Sequence, residues 1–209
     1  MGDPFSYNGG SMLAMKGEQC VAIGADRRLG AQFQTVATNF QKVFRIQDNI
    51  LLGLTGLATD VQTFHRLIQY KVNLYRLREN KDMKVNTFVN LISATLYEKR
   101  WGPYFVSPIV AGLEYDEVKG VIPITATYDS IGCTSIEGEF QVGGTGADGL
   151  IGSCESFWRK GLKPDELEDI VAQSLSAGCD RDILSGWGGV VYTLTKDNLS
   201  VKVLKTKQS

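Results

Sequence analysis

The sequence predicts an α+β fold in which helices pack outside a pair of sheets. Two observations carry this. Short apolar runs alternate in blocks with longer stretches of helical periodicity, in the order strands, two helices, strands, two helices, strands. The runs are also separated by short turns bearing Gly, Asp and Asn, the chemistry that joins antiparallel neighbours.

Met12–Met15 and Cys20–Ile23 flank the polar turn Lys16-Gly17-Glu18-Gln19, a hairpin signature in which Gly17 supplies the permissive backbone. Ile50–Leu54 reads as a short buried strand ending in Thr55-Gly56. A helix is expected from about Ala58 to Glu79, because Val61, Phe64, Ile68, Val72 and Tyr75 recur by threes and fours. Asp60 near its start matches the positive end of the helix dipole. Arg66, Lys71, Arg76 and Arg78 mark its solvated or subunit-facing side, and His65 reads as an ordinary polar or interface residue.

Asn80-Lys81-Asp82 breaks the chain before a second helix of about Asn86–Lys99, which must stop ahead of Gly102-Pro103. Strands Val106–Leu113 and Val121–Tyr128 follow, joined by the acidic turn Glu114–Gly120. Asp129–Gly138 is loop-like and Gln141–Gly143 resumes a strand. Thr145 opens a third helix that runs to Trp158. The Gly143-Gly144 pair before it is a tight turn and not a phosphate cradle, because no Lys follows in the P-loop position. Pro164-Asp165-Glu166 starts a fourth helix, buried along Leu167, Ile170, Val171 and Leu175. Strands Gly189–Thr195 and Leu199–Lys205 close the chain.

With 209 residues, 43% of them hydrophobic, the chain is long enough to bury a sizeable core, and residues 1–209 read as one domain with a short N-terminal extension at 1–10. A formal net charge of −1 argues against a nucleic-acid or polybasic membrane surface. No apolar run is long enough for a transmembrane helix, and the first ten residues lack the apolar core of a signal peptide. Cys20, Cys133, Cys154 and Cys179 show no metal-ligand spacing and His65 is the only histidine, so a metal site is not expected and a reduced intracellular compartment is.

The residues that bear chemistry gather around the first hairpin. Asp26 ends a nearly apolar strand, Lys42 sits between Phe40 and Val43-Phe44, and the chain starts one strand upstream. That arrangement points to an N-terminal-nucleophile hydrolase, in which the first residue's hydroxyl attacks an amide and its own α-amine takes the proton. The start of the first strand should then carry Thr. It carries Gly10, with Ser11 beside it.

From Ser6 to Tyr192 the chain holds the motifs SYNGG, AMKG, VAIGADRRLG, FQKVF, GLTGLATDVQT, NLYRLRE, LYEKRWGPYFVSPIVAGL, IGC, SCESFW and DRDILSGWGGVVY, of which stretches such as GLATDVQT and LYEKRWGPY are long and gapless. In these it resembles the β-subunits of the 20S proteasome, and most closely a non-catalytic member of that set. The resemblance implies the four-layer αββα sandwich of N-terminal-nucleophile hydrolases. In active members the nucleophilic Thr lies sixteen residues before the strand-end Asp, and that position here is Gly10; the active-site Lys lies sixteen after it, at Lys42. The Ser-Gly-Ser turn of active members is represented by Thr145-Gly146-Ala147, the late Asp-x-x-Ser-Gly motif by Asp182, Ser185 and Gly186, and the oxyanion donor by Gly56. The implied site is therefore vestigial, a supporting cast with no nucleophile and no cofactor or metal. The alternative is an active N-terminal-serine hydrolase of the same fold, using Ser11 after processing. Ser11 is one residue out of register, and such a slip turns a strand side chain to the opposite face.

The resemblance further implies other α and β proteasome subunits as partners, in stacked seven-membered rings that degrade unfolded polypeptides with or without ubiquitin. Regulatory particles would be met only indirectly. It implies residence in cytoplasm and nucleus, with neither nucleic acid nor membrane as partner. In the resembled non-catalytic member, an Asp-x-x-Gly-Cys loop reaches the active site of the adjacent trypsin-like subunit. Here that loop runs from Asp129 to Cys133. A carboxylate at such a pocket favours basic side chains through charge-assisted hydrogen bonds. Asp129 fits a turn-capping role equally well.

Overall fold

A computed structural model describes residues 3–206. In chain order the elements are α1 (Pro4–Asn8), β1 (Ser11–Lys16), β2 (Val21–Asp26), β3 (Leu29–Ala31), β4 (Gln34–Ala37), β5 (Val43–Gln47), β6 (Ile50–Gly56), α2 (Ala58–Glu79) and α3 (Val85–Tyr97). They continue as β7 (Val106–Asp116), β8 (Gly120–Tyr128), β9 (Thr134–Ser135), β10 (Phe140–Gly144), α4 (Ala147–Phe157), α5 (Pro164–Cys179), β11 (Gly189–Leu194) and β12 (Leu199–Leu204). One five-stranded sheet has the order β10-β1-β2-β11-β12 and the other β5-β6-β7-β8-β9, both antiparallel throughout. β3 and β4 form a separate two-stranded hairpin.

The two-residue alternation of the strands builds the layers. Along β1 and β2, Leu13, Met15 and Ala22 meet Leu150, Leu167, Val171 and Leu175 of α4 and α5. Their alternates Met12, Ala14 and Ile23 meet Leu51, Ile109 and Ala111 of the facing sheet. On that sheet's other side, Leu52, Leu54, Val110 and Ala126 meet Phe64, Ile68, Phe88 and Ile92 of α2 and α3. The sequence of layers is helices, sheet, sheet, helices, the αββα sandwich that the sequence implies. Each large apolar side chain taken wholly out of water contributes roughly 1.5–3 kcal/mol. Gly53 lets the side chains of Met12 and Ile23 pack directly on the second sheet's backbone: a side chain there overlaps the Met12 sulfur and lies 2.8 Å from Ile23 Cδ1.

α2 has the bounds that its periodicity predicts, with Val61, Phe64, Ile68 and Val72 buried. His65 stacks on Phe44, with ring centroids 3.9 Å apart. Burial lowers its pKa, and Arg66 adds to that. Among the described residues no helix is long and apolar enough to cross a membrane.

Several boundaries differ from the sequence reading. The turn expected at Glu114–Gly120 is mostly strand, with Asp116 paired to Gly120. The loop tract after Asp129 contains β9. Helix α4 begins at Ala147 rather than Thr145, because both the hydroxyl and the N–H of Thr145 are engaged with other segments. Gly17 is required for close packing and not for a left-handed turn. A side chain there lies 2.6 Å from Cys20 Sγ and 2.7 Å from the Leu162 carbonyl, while Gln19 takes the left-handed position at φ 57°. Neither α1 nor the β3–β4 hairpin is foreseen by the sequence reading.

Candidate functional site

The start of β1, the end of β2, the residue before β5 and the loop after α5 meet at one end of the sandwich. Asp26 is fully buried and Lys42 is 3% exposed, and the two form an ion pair. Oδ1 of Asp26 accepts from Lys42 Nζ and from the Ser11 N–H at 2.9 Å. Oδ2 accepts from the Arg28 N–H at 3.2 Å and the Gly186 N–H at 3.1 Å. A carboxylate taken out of water needs this many donors if its desolvation is to be offset.

Beside the pair lies a second polar network, centred on Asp182. Thr145 donates its hydroxyl to Asp182 Oδ2 at 2.6 Å, and Ser185 donates to the same oxygen. Leu184 N–H donates to Oδ1 at 3.1 Å. Ser11 Oγ is 2.7 Å from Ser185 Oγ. Because the Ser185 proton is committed to Asp182, Ser11 is the donor between the two hydroxyls.

Gly10 joins the two networks through its backbone. Its N–H donates to Thr145 Oγ1 at 3.2 Å, and its carbonyl accepts from the Thr145 N–H at 2.8 Å. A side chain at this position would point at the ion pair, with Cβ 2.8 Å from Lys42 Nζ and 3.4 Å from Asp26 Oδ1. The backbone there has φ 134°, a region that L side chains rarely adopt. A cleft of about 330 Å³ opens in front of Gly10, walled by Thr55, Gly56, Ser107, Asp129 and Thr145. Gly56 lies at the end of β6 with φ 114°.

Gly10, Asp26 and Lys42 thus adjoin one another, and Thr145, Asp182 and Ser185 form the adjacent cluster. Ser11 turns its hydroxyl to Ser185 and keeps only its N–H on the Asp26 side. Asp129 is exposed, and its Oδ1 accepts from the Ile131 N–H at 3.0 Å and the Cys133 N–H at 2.7 Å. It is a turn cap on the rim of the cleft. Cys133 is exposed one turn away.

Two residues that organise the site escape sequence reasoning. Arg28, 2% exposed, bonds the Leu184 carbonyl at 2.9 Å, the Gln32 carbonyl at 3.1 Å and Thr35 Oγ1 at 3.0 Å, tying the β3–β4 hairpin to the Asp182 loop. Asn8 bridges the Gly30 carbonyl and the Ala58 N–H. Arg28 follows the strand-end Asp and Asn8 falls within SYNGG, but nothing local marks either one's distant partners.

Two antiparallel sheets between helical layers, with a Lys–Asp pair under the start of the first strand, define the N-terminal-nucleophile hydrolase sandwich. Within that class the chain belongs to the proteasome subunit family: the family model described as "Proteasome subunit" matches residues 6–194. It is similar to the probable proteasome subunit beta type-3 of Schizosaccharomyces pombe, 49% identical over 97% of both chains. It is also similar to the proteasome subunit beta type-3 of Saccharomyces cerevisiae, 46% identical over 100% of both chains. The subunit of the same name from Picea mariana is 47% identical over 96% of this chain and 97% of the relative.

Proposed function

We propose that this chain is a structural, non-catalytic β-type subunit of the 20S proteasome core particle. The observation that carries this reading is the glycine at position 10. A side chain there would stand 2.8 Å from Lys42 Nζ, so a nucleophilic hydroxyl would have to start from this residue, and glycine has none. The relatives' names support the β-type assignment. As a family member it assembles with other proteasome subunits. Within the proposal, it forms part of the wall of a seven-membered inner ring between two outer rings, in the cytoplasm and nucleus. The reading of Ser11 as nucleophile is not favoured, since its hydroxyl is turned onto Ser185, away from Lys42.

The proposal extends to the loop Asp129–Cys133, which would reach the substrate pocket of a neighbouring trypsin-like subunit. Its support is an exposed carboxylate on a braced mount, Oδ1 holding two backbone N–H groups of its own loop.

Intact mass of the chain, released from purified particles treated with an acylating active-site probe, tests the main reading. The expected chain keeps the residues ahead of Gly10 and takes up no probe. A chain beginning at Ser11, or one that carries the probe, refutes it.

A further inference from the structure

We propose that Asp3–Gly9 is a strap that braces the fold, with Asn8 as the positioning residue that closes helix α2 and fixes the β3–β4 hairpin. The first turn of any α-helix leaves N–H groups without intrahelical partners. The 22-residue α2 follows Leu57, whose side chain provides no cap. The acceptor comes from 50 positions upstream, where Asn8 Oδ1 takes the Ala58 N–H at 2.8 Å.

The other half of the same amide does different work. Asn8 Nδ2 donates to the Gly30 carbonyl at 2.7 Å, and beside it the Gln32 N–H donates to the Tyr7 carbonyl at 2.7 Å. Phe5 packs edge-on against Phe105, with centroids 5.7 Å apart. Gly9, at φ 68°, then hands the chain into β1 where a side chain would collide with Leu184. Three segments remote in sequence, namely the hairpin, the α2 N-terminus and the approach to β7, are held to one another through this short stretch. Without this segment α2 loses its cap and the hairpin two of its hydrogen bonds. The inference stands on these contacts, whether or not position 10 is silent.

Hydrogen exchange on core particles carrying the full-length chain tests it, comparing wild type with Asn8→Ala and Asn8→Asp. Losing a cap speeds local opening roughly two- to thirty-fold. Asn8→Ala is expected to raise exchange by that much both at the start of α2 and across residues 29–37. Asn8→Asp keeps an acceptor at the helix N-terminus but loses the donor, so only the hairpin should quicken. Wild-type exchange at both segments in Asn8→Ala overturns the proposal, as does a uniform rise through the whole chain. If the alanine variant does not enter particles, Asn8→Asp decides. A faster hairpin with an unchanged helix supports the strap, and any other pattern overturns it. Processing at position 10 is read separately, from the intact mass.

Discussion

Four donors converge on Asp26, and one of them is the only cation among them, Lys42. Lys42→Ala leaves the carboxylate buried with backbone N–H partners alone, at a cost of roughly 3–5 kcal/mol. The expected result is poor incorporation into particles and a lowered denaturation midpoint; wild-type behaviour in both would show that the pair contributes little. This cost also accounts for why the charges would be kept at a site that, on the proposed reading, has no nucleophile. At position 10, a threonine meets both a short approach to Nζ and a backbone at φ 134°. Forcing an L side chain into such a region costs of order 1–3 kcal/mol. Gly10→Thr is therefore expected to be destabilised and to gain no self-cleavage, and a variant chain shortened to residue 10 would contradict this. Asp129→Asn preserves shape while removing charge. If its loop reaches a neighbouring pocket as proposed, it should slow only the cleavage of basic peptides by assembled particles, by at most about a hundredfold and by a few-fold if solvent screens the carboxylate. An equal fall in all activities would indicate faulty assembly instead. Asp26, Lys42, Asp182 and Ser185 were legible in the sequence because they lie in long gapless motifs at fixed spacing. The role of Arg28 was not, since its Leu184 acceptor lies 156 positions away.

The elements that reveal themselves in sequence are those with enough length to show a period. α2 and α5 present several turns of apolar recurrence; both ends of α2 and the start of α5 are where the sequence reading puts them. α1, at five residues, is too short for any period, and its start is set by Asp3 accepting from the Phe5 N–H at 3.1 Å. The β3–β4 hairpin is invisible for a different reason. Phe33 and Val36 are exposed, so no buried face imposes an alternation on it. At this scale the strongest test is a strand residue that faces the outer helices. Leu52 is fully buried between the second sheet and α2 and α3. Leu52→Ala is expected to cost about 2–5 kcal/mol, read as a lower denaturation midpoint with an unchanged slope.

Across the whole molecule, the distribution of thiols predicts both reactivity and alkaline stability. Burial pushes Cys20 from 9.0 up to about 11 and Cys154 up to about 12, and it raises Cys179 as well. Cys133 alone is exposed. A thiol reagent at pH 8 should modify one cysteine in the folded chain and all four in denaturant; rapid reaction of more than one without denaturant would mean that the helix–sheet layer opens. The sign of the pH dependence follows from the raised values. The folded chain holds thiol protons that the unfolded chain sheds near pH 9, so this contribution is complete below pH 9 and is lost as pH rises toward the folded values. Thermal unfolding midpoints should fall through that alkaline range, and a rise there would reverse the assignment.

The strand order also dictates a timetable for synthesis. The second sheet and its two helices come from one contiguous stretch, Val43 to Ser135, so this half can close while the ribosome is still at work. The first hairpin cannot. β1 needs β10 on one side and β2 needs β11 on its far side, with Ser11 opposite Gly144 and Asp26 opposite Gly189. At cellular elongation rates those partners emerge on the order of ten seconds later. Until then the second sheet can cover Met12, Val21 and Ile23, but Leu13, Met15 and Ala22 on the other face have no α4 or α5 to cover them. The β1–β2 hairpin is made well before the strands and helices that shelter it, and it is there that a chaperone would have to hold the nascent protein.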